Sequence, residues 1–173
     1  SIFRSELRHC MKFNLIKKLV GLVVILMATA TFAQTTKYKT MIQMNNYTGK
    51  EAYVVISLIN PKGQYEKTLA VLGPDNEWYN TLKEWHKFNS KKKEKLNGIT
   101  GASVAGGARA TRVIEFDTAK LNKGYKLRFE SAVETQKYVA KDAEVALNSS
   151  NLDNKAGIKG SVYIKAVRFI KVQ

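Results

Sequence analysis

Short strand-like segments separated by turn signals recur along most of this chain. In residues 125–134, Tyr, Leu, Phe, Ser and Val take every second position and charged residues take most of the others. This alternation is typical of a strand with one buried face. Residues 52–59 form an almost continuous apolar run instead, which predicts a central strand buried on both faces. Further predicted strands are 38–44, 65–72, 109–116, 138–147 and 158–172.

The connections between these segments contain strong turn and helix signals. Asn60-Pro61-Lys62-Gly63 predicts a hairpin turn, and residues 122–124 predict a second tight turn. After Gly73-Pro74, Asp75 or Asn76 can cap a helix that runs to about Phe88. One face of this helix would carry apolar residues at helical spacing, namely Trp78, Leu82, Trp85 and Phe88. The pattern predicts a mainly all-β fold, an immunoglobulin-like antiparallel β-sandwich with one inserted helix.

Residues 11–33 have the organisation of a secretory signal peptide. Met11 is followed by Lys12, Lys17 and Lys18, then by an apolar stretch over 19–28 and small residues up to Ala33. The apolar stretch is short for a membrane span, so cleavage after Ala33 is favoured over a retained anchor. Residues 1–10 are interpreted as an extraneous or mis-started segment, which leaves 34–173 as a single domain. We expect the mature domain to be periplasmic or extracellular.

The composition after residue 33 limits the available chemistry. The one cysteine, Cys10, precedes the signal core, so disulfides, cysteine metal sites and a cysteine nucleophile are excluded from the mature domain. His86 is its single histidine, and no metal cluster, catalytic triad or paired carboxylates can be assembled from spacing. An enzyme is therefore less favoured than a carrier or an accessory protein.

The mature domain is strongly basic. The whole chain has 29 Lys and Arg against 14 Asp and Glu; 24 and 13 of these follow residue 33, which leaves +11. Such a charge favours polyanions, anionic membrane surfaces or acidic partners, although it also serves solubility alone. A nucleic-acid partner is disfavoured by export. The lysine-rich segment 91–95 is interpreted either as a solvated loop or as a partner-binding region.

A glycine-rich segment, residues 98–107, follows that basic run. Glycines at 98, 101, 106 and 107 make regular structure difficult. Within it, Asn97-Gly98-Ile99-Thr100-Gly101-Ala102-Ser103 places two hydroxyls three residues apart among small side chains. An accessible hydroxyl of this kind suits covalent attachment of a phosphate-linked group, whereas the alternative is an ordinary surface loop.

Several of these blocks, in this order, resemble the DUF2271 family of exported bacterial proteins over residues 38–147. They are the 38–44 strand, the 53–72 hairpin, the Trp78 to Trp85 helix, Ile99-Thr100-Gly101-Ala102-Ser103, and 114–117 followed by 124–129. The family's loop is similar to the acceptor motif of covalent flavinylation, in which an exported flavin transferase joins FMN through its phosphate to the last Thr or Ser. The resemblance implies that Ser103 is the acceptor.

The positions before Ser103 also match the family's motif, with one exception. Thr100, Gly101 and Ala102 match the motif, whereas Asn97 stands where the family usually has Asp. The family also implies a PepSY-type membrane protein as partner, and a role in extracytoplasmic electron transfer.

A bound flavin would need cations and an aromatic wall. Lys91, Lys92, Lys93, Lys95, Arg109 and Arg112 flank the motif in sequence and can offset the phosphate charge. Trp78 or Trp85 can stack on the ring system, although core packing of both is the favoured alternative. The competing hypothesis is a non-enzymatic periplasmic module that binds a membrane reductase or an iron-uptake system through residues 91–95.

Overall fold

The computed structural model describes residues 33–173, so the predicted segment 1–10 and nearly all of the predicted signal peptide lie outside the described residues. Nine strands form this part of the chain: β1 (Thr35–Met44), β2 (Tyr53–Ile59), β3 (Tyr65–Leu72), β4 (Thr100–Gly101), β5 (Arg109–Asp117), β6 (Lys126–Ala132), β7 (Val139–Ala146), β8 (Ile158–Lys159) and β9 (Ile164–Lys171). Its helices are α1 (Lys83–Lys92), α2 (Ser149–Leu152) and the 3-10 turns Asn76–Thr81 and Thr118–Lys120.

The strands form two sheets that pack as a sandwich. One sheet has the order β5-β1-β9-β8 and the other β4-β3-β2-β6-β7. All pairings are antiparallel except that of β3 with the two-residue β4, which is parallel. The predicted β-sandwich is therefore confirmed, and β2 lies at the centre of its sheet as predicted. The core between the sheets contains fully buried side chains such as Ile42, Ile56, Phe116 and Phe129.

The predicted single helix is wrong in its details, because the segment forms two helices that meet at Leu82. Residues Asn76–Thr81 form a 3-10 turn, Leu82 leaves helical geometry (φ −84°, ψ 70°), and α1 begins at Lys83. A 3-10 turn has three residues per turn, so it aligns Tyr79 with Leu82, whereas an α-helix would align Trp78 with Leu82. Tyr79 is accordingly buried and Trp78 is 41% exposed. Asp75 makes no side-chain capping bond.

The predicted solvent face of β6 is also wrong, because Arg128 and Glu130 are buried. The segment that contains α1 covers the outer face of this sheet, with Leu82 and Trp85 packed in a cluster against it. The carboxylate of Glu130 accepts bonds from the backbone N–H groups of Glu84 and Trp85, at 3.1 Å each. It thereby binds amides at the start of α1 that no helical carbonyl can reach.

Burial raises the pKa of the Glu130 carboxyl, and its hydrogen bonds only partly oppose that change. Two of these bonds come from the hydroxyls of Tyr138, at 2.6 Å, and Tyr65, at 2.9 Å. Four donors therefore converge on one carboxylate between the sheet and α1. This group fixes the position of the helix on the sheet.

The long final strand predicted over 158–172 is wrong as well. It is a short hairpin, in which β8 turns back and pairs antiparallel with β9. The chain bends between them because the buried carboxylate of Asp142 on β7 accepts the backbone N–H groups of Val162, Tyr163 and Ile164, at 2.7, 3.1 and 2.9 Å. One side chain therefore binds the backbone N–H groups that a continuous strand would use to pair with a neighbouring strand.

Candidate functional site

Backbone pairing holds the glycine-rich segment against the edge of the five-stranded sheet. The amides of Val71 and Gly73 donate to the carbonyls of Ile99, at 2.9 Å, and Gly101, at 2.7 Å. Beyond Ser103, Val104 exchanges two backbone bonds with Ala52, at 2.8 and 3.0 Å. Most of residues 98–107 is irregular, as predicted, but the segment is anchored on both sides of Ser103. The side chain of Ser103 is half-buried and that of Ala102 is exposed.

Gly101 allows an arginine to lie against this segment. A Cβ at Gly101 would come within 2.5 Å of Nη1 of Arg112 and 2.8 Å of its Cζ. Without that carbon, the Arg112 guanidinium reaches the carbonyl of Thr100 and donates to it at 2.9 Å. The small residue of the motif therefore brings a permanent positive charge next to the backbone that leads to Ser103.

Ser103 lies on the rim of a cleft with aromatic walls, which we call the Trp78 cleft. It has a volume of about 300 Å³ and is lined by Lys50, Glu51, Tyr53, Trp78, Thr81, Ser103, Ala132 and Glu134. The exposed indole of Trp78 gives the cleft an accessible aromatic surface. Tyr53 packs edge-on against Tyr79, and burial raises the pKa of its phenol, so Tyr53 stays neutral. This cleft offers a flat ligand an aromatic surface beside polar and charged side chains.

A second cleft, the Arg112 cleft, lies on the other side of Ser103. It has a volume of about 380 Å³ and is lined by Glu51, Leu72, Ala102, Ser103, Val104, Ala105, Ala108, Arg109, Ala110, Thr111 and Arg112. Arg109 is held in place by a bond from its Nε to Oε1 of Gln43, at 2.5 Å. Ser103 and Glu51 are the two residues that line both clefts. The hydroxyl therefore stands where an aromatic pocket and a cationic pocket meet.

The Ser103 hydroxyl donates a hydrogen bond to the carboxylate of Glu51. A carboxylate in this position orients the hydroxyl oxygen and can accept its proton. It would also repel an anionic group attached to Ser103, so such a group needs the cations of the surroundings. Sequence reasoning missed Glu51, which lies 52 positions earlier in a region without any motif.

The other residues singled out from the sequence are distributed differently. The hydroxyl of Thr100 donates to the carbonyl of Leu96 at 3.0 Å, so it closes the turn before β4. Asn97 lines a separate polar cleft of about 570 Å³ with Pro74, Asp75, Asn76, Tyr79, Glu94, Lys95, Leu96 and Thr100. Trp85 lines neither cleft at Ser103: it is fully buried, and its indole N–H donates to the hydroxyl of Thr68 at 2.8 Å. Trp85 is a core residue.

The flanking cations divide into two groups. Arg109 and Arg112 line the cleft at Ser103. Lys91 and Lys92 lie at the end of α1 and Lys93 and Lys95 follow it, all exposed, and none of them lines either cleft at Ser103. In the described part of the chain no three His, Cys, Asp or Glu side chains are arranged to hold a metal ion.

Comparison with known protein families gives one match. A family model described as a predicted periplasmic protein, DUF2271, matches residues 35–166. The chain belongs to the DUF2271 family. The match covers most of the sandwich, from β1 into β9, and includes the whole of the glycine-rich segment. The predicted periplasmic location is confirmed by this family description.

Two further comparisons find no match. No curated protein and no solved structure is similar to the chain. Within residues 33–173, no helix is long and apolar enough to cross a membrane.

Proposed function

We propose that this protein is an exported electron carrier that holds one FMN, joined through its phosphate to the hydroxyl oxygen of Ser103. The observation that carries the proposal is the position of this hydroxyl between an aromatic cleft and a cationic cleft. A flavin nucleotide has the same two parts, a flat ring system and an anionic phosphate. When bound, FMN supplies one- and two-electron transfer at its ring.

The Trp78 cleft has the size and lining that a ring system needs. Its volume of about 300 Å³ lies at the lower end of the range for small-molecule sites. A cleft of this size suits one flat ring system better than a dinucleotide. Trp78, with 41% of its surface exposed, can stack on such a ring. Trp85 cannot take this role because its indole is fully buried.

The charges around Ser103 support an attached phosphate. A phosphodiester carries one negative charge, and Lys50, Arg109 and Arg112 line the two clefts at Ser103. Charge-assisted bonds from arginine to phosphate are among the stronger hydrogen bonds in proteins. Asn97, the departure from the family motif, lines neither of these clefts. Its lost carboxylate therefore leaves the surroundings of the acceptor hydroxyl unchanged.

Ser103 and Glu51 can supply the nucleophile and the base that the proposed transfer step needs. The oxygen of Ser103 forms a bond to the flavin-bearing phosphorus of a flavin dinucleotide, the pyrophosphate bond breaks, and a nucleoside monophosphate leaves. The proton of the hydroxyl must pass to a base. The Glu51 carboxylate already accepts the hydrogen bond of this hydroxyl, so it is suited to receive the proton. An exported flavin transferase would supply the donor and its binding site.

Intact mass spectrometry of the protein co-expressed with an exported flavin transferase tests the proposal. The expected result is a mass gain of one FMN less one water, which Ser103→Ala abolishes and Ser103→Thr retains. Thr100→Val is the matched control, because it removes the other hydroxyl of the motif and should keep the adduct. No gain in the wild-type protein would refute the proposal and leave a non-enzymatic binding module as the better explanation.

A further inference from the structure

The helix α1 presents an unusual concentration of positive charge. Lys83, Lys87 and Lys91 are spaced four residues apart, so they project from one face of the helix, and all three are exposed. The exposed Lys92, Lys93 and Lys95 continue this charge at and beyond the end of α1. We call these six side chains the helix lysines.

Among residues 33–173, no ion pair involves the helix lysines. The ion pairs in the described part of the chain involve Lys37, Lys120, Lys126 and Arg128, and none involves a helix lysine. Two acidic residues lie in the same segment. The Glu94 carboxylate is occupied by the amide and hydroxyl of Thr68. Glu84 is exposed on the face of α1 that carries the lysines, and none of the ion pairs in the described part of the chain involves it. Like charges at this spacing destabilise a helix. The excess of exposed lysines over the one exposed glutamate of α1 therefore suits an anionic binding partner.

The helix lysines lie on the outermost surface of the domain and next to the candidate site in sequence. The opposite face of α1 is the one that packs on the five-stranded sheet, through the buried Trp85, next to Leu82 just before the helix. Trp78 and Thr81, which line the Trp78 cleft, lie only a few residues before Lys83. A surface that binds the helix lysines would therefore be held on the side of the domain that contributes Trp78 to the cleft.

The composition of this surface favours a lipid headgroup layer over a protein. Protein interfaces have an apolar or aromatic centre and are depleted in lysine. The large exposed apolar side chains of residues 33–173 are Trp78, Val113, Val162, Ile170 and Val172, and none is on α1. Exposed ammonium groups without an apolar centre suit a diffuse layer of negative charge, which an anionic bilayer provides. We propose that the helix lysines dock the protein on an anionic phospholipid surface.

This docking is independent of whether Ser103 carries FMN, and vesicle co-sedimentation tests it directly. The protein purified from the periplasm is mixed with vesicles of phosphatidylglycerol and phosphatidylethanolamine in equal parts, or of phosphatidylcholine alone. We expect binding to the anionic vesicles only, and release by high salt because exposed charges are screened. The triple variant Lys83→Gln, Lys87→Gln, Lys91→Gln should weaken partitioning roughly a hundredfold, since each lysine near an anionic surface contributes a factor of about five and the three factors multiply.

A second triple variant controls for net charge. Lys62→Gln, Lys123→Gln and Lys155→Gln remove the same charge from exposed turns away from α1 and should keep most of the binding. Glutamine is a good helix former and the replaced side chains are exposed, so both variants should match the wild type in circular dichroism and thermal unfolding. Equal loss in both variants would show that total charge, rather than α1, drives binding. Wild-type protein that ignores anionic vesicles would overturn the proposal, and retention on an acidic protein alone would assign the surface to a protein partner.

Discussion

The buried carboxylate of Asp142 connects the two sheets, and its removal gives the sharpest stability prediction. Asp142 lies on β7 of the five-stranded sheet and is 1% exposed. Its Oδ1 accepts the amide and hydroxyl of Ser161, at 3.3 and 3.1 Å, and the amide of Val162, at 2.7 Å. Its Oδ2 accepts the amides of Tyr163 and Ile164, at 3.1 and 2.9 Å. These donors precede and begin β9 of the four-stranded sheet.

The cost of Asp142→Ala follows from the donors that it would leave without a partner. Val162 is 39% exposed, so its amide can turn to water, whereas Tyr163 and Ile164 are 3% and 0% exposed. Each buried amide left unsatisfied costs about 1–3 kcal/mol, so we expect a loss of roughly 4 kcal/mol in the free energy of unfolding. In Asp142→Asn the amide oxygen can still face Tyr163 and Ile164 while the NH₂ group faces the Ser161 hydroxyl. That variant should lose about 1–2 kcal/mol.

Urea unfolding followed by tryptophan fluorescence measures these differences, because the buried Trp85 becomes exposed on unfolding. Asp117→Ala is the control: that aspartate also accepts a backbone amide, from Ala119 at 2.9 Å, but at an exposed position. It should cost about 0.5–1 kcal/mol. The predicted order of destabilisation is Asp142→Ala, then Asp142→Asn, then Asp117→Ala. If Asp142→Ala costs no more than the control, the reasoning that this carboxylate fixes the bend before β9 is wrong.

Two further predictions concern a half-buried ion pair and the glycine beside the candidate site. Burial raises the pKa of the Glu144 carboxyl, but hydrogen bonds from Arg128 and Lys126 outweigh the effect of burial and lower that pKa overall. The stabilisation of the fold by this ion pair is therefore present above the unfolded pKa of about 4.3 and is lost as the pH falls through the folded pKa. The stability gap between wild type and Glu144→Gln, from urea titrations, should therefore close in acid, and a constant gap would contradict this. Gly101→Ala should displace the Arg112 guanidinium but change the unfolding free energy by less than about 1 kcal/mol, because the lost bond and the reduced unfolded-state entropy nearly cancel. Flavin loading of Gly101→Ala should fall nonetheless, and full loading would show that Arg112 does not hold the phosphate.

Local patterns predicted most of the strands but not what covers them. The apolar run of β2 and the hairpin turn at residues 60–63 depend on near neighbours, and both occur as predicted. In β6, alternation placed Arg128 and Glu130 on a solvent face, yet a helix packs there. Alternation with a period of two shows that a strand has two different faces. It does not show whether a distant segment of the chain covers the second face. Glu130 is tolerated in that position only because two tyrosines and two amides bind its carboxylate.

The same limit applies to the candidate site, where the sequence pointed to Ser103 and its flanking arginines but not to Glu51. Ser103, Gly101 and Arg112 lie close together in the chain, so a motif with flanking charge can point to them. Glu51 reaches Ser103 only because Ala52 and Val104 exchange backbone bonds across 52 positions. Trp78 enters the site because a 3-10 turn rotates it out of the apolar face that helical spacing assigned to it. The aromatic wall and the proton acceptor of the proposed site are therefore products of tertiary pairing and of one local departure from α-helical geometry.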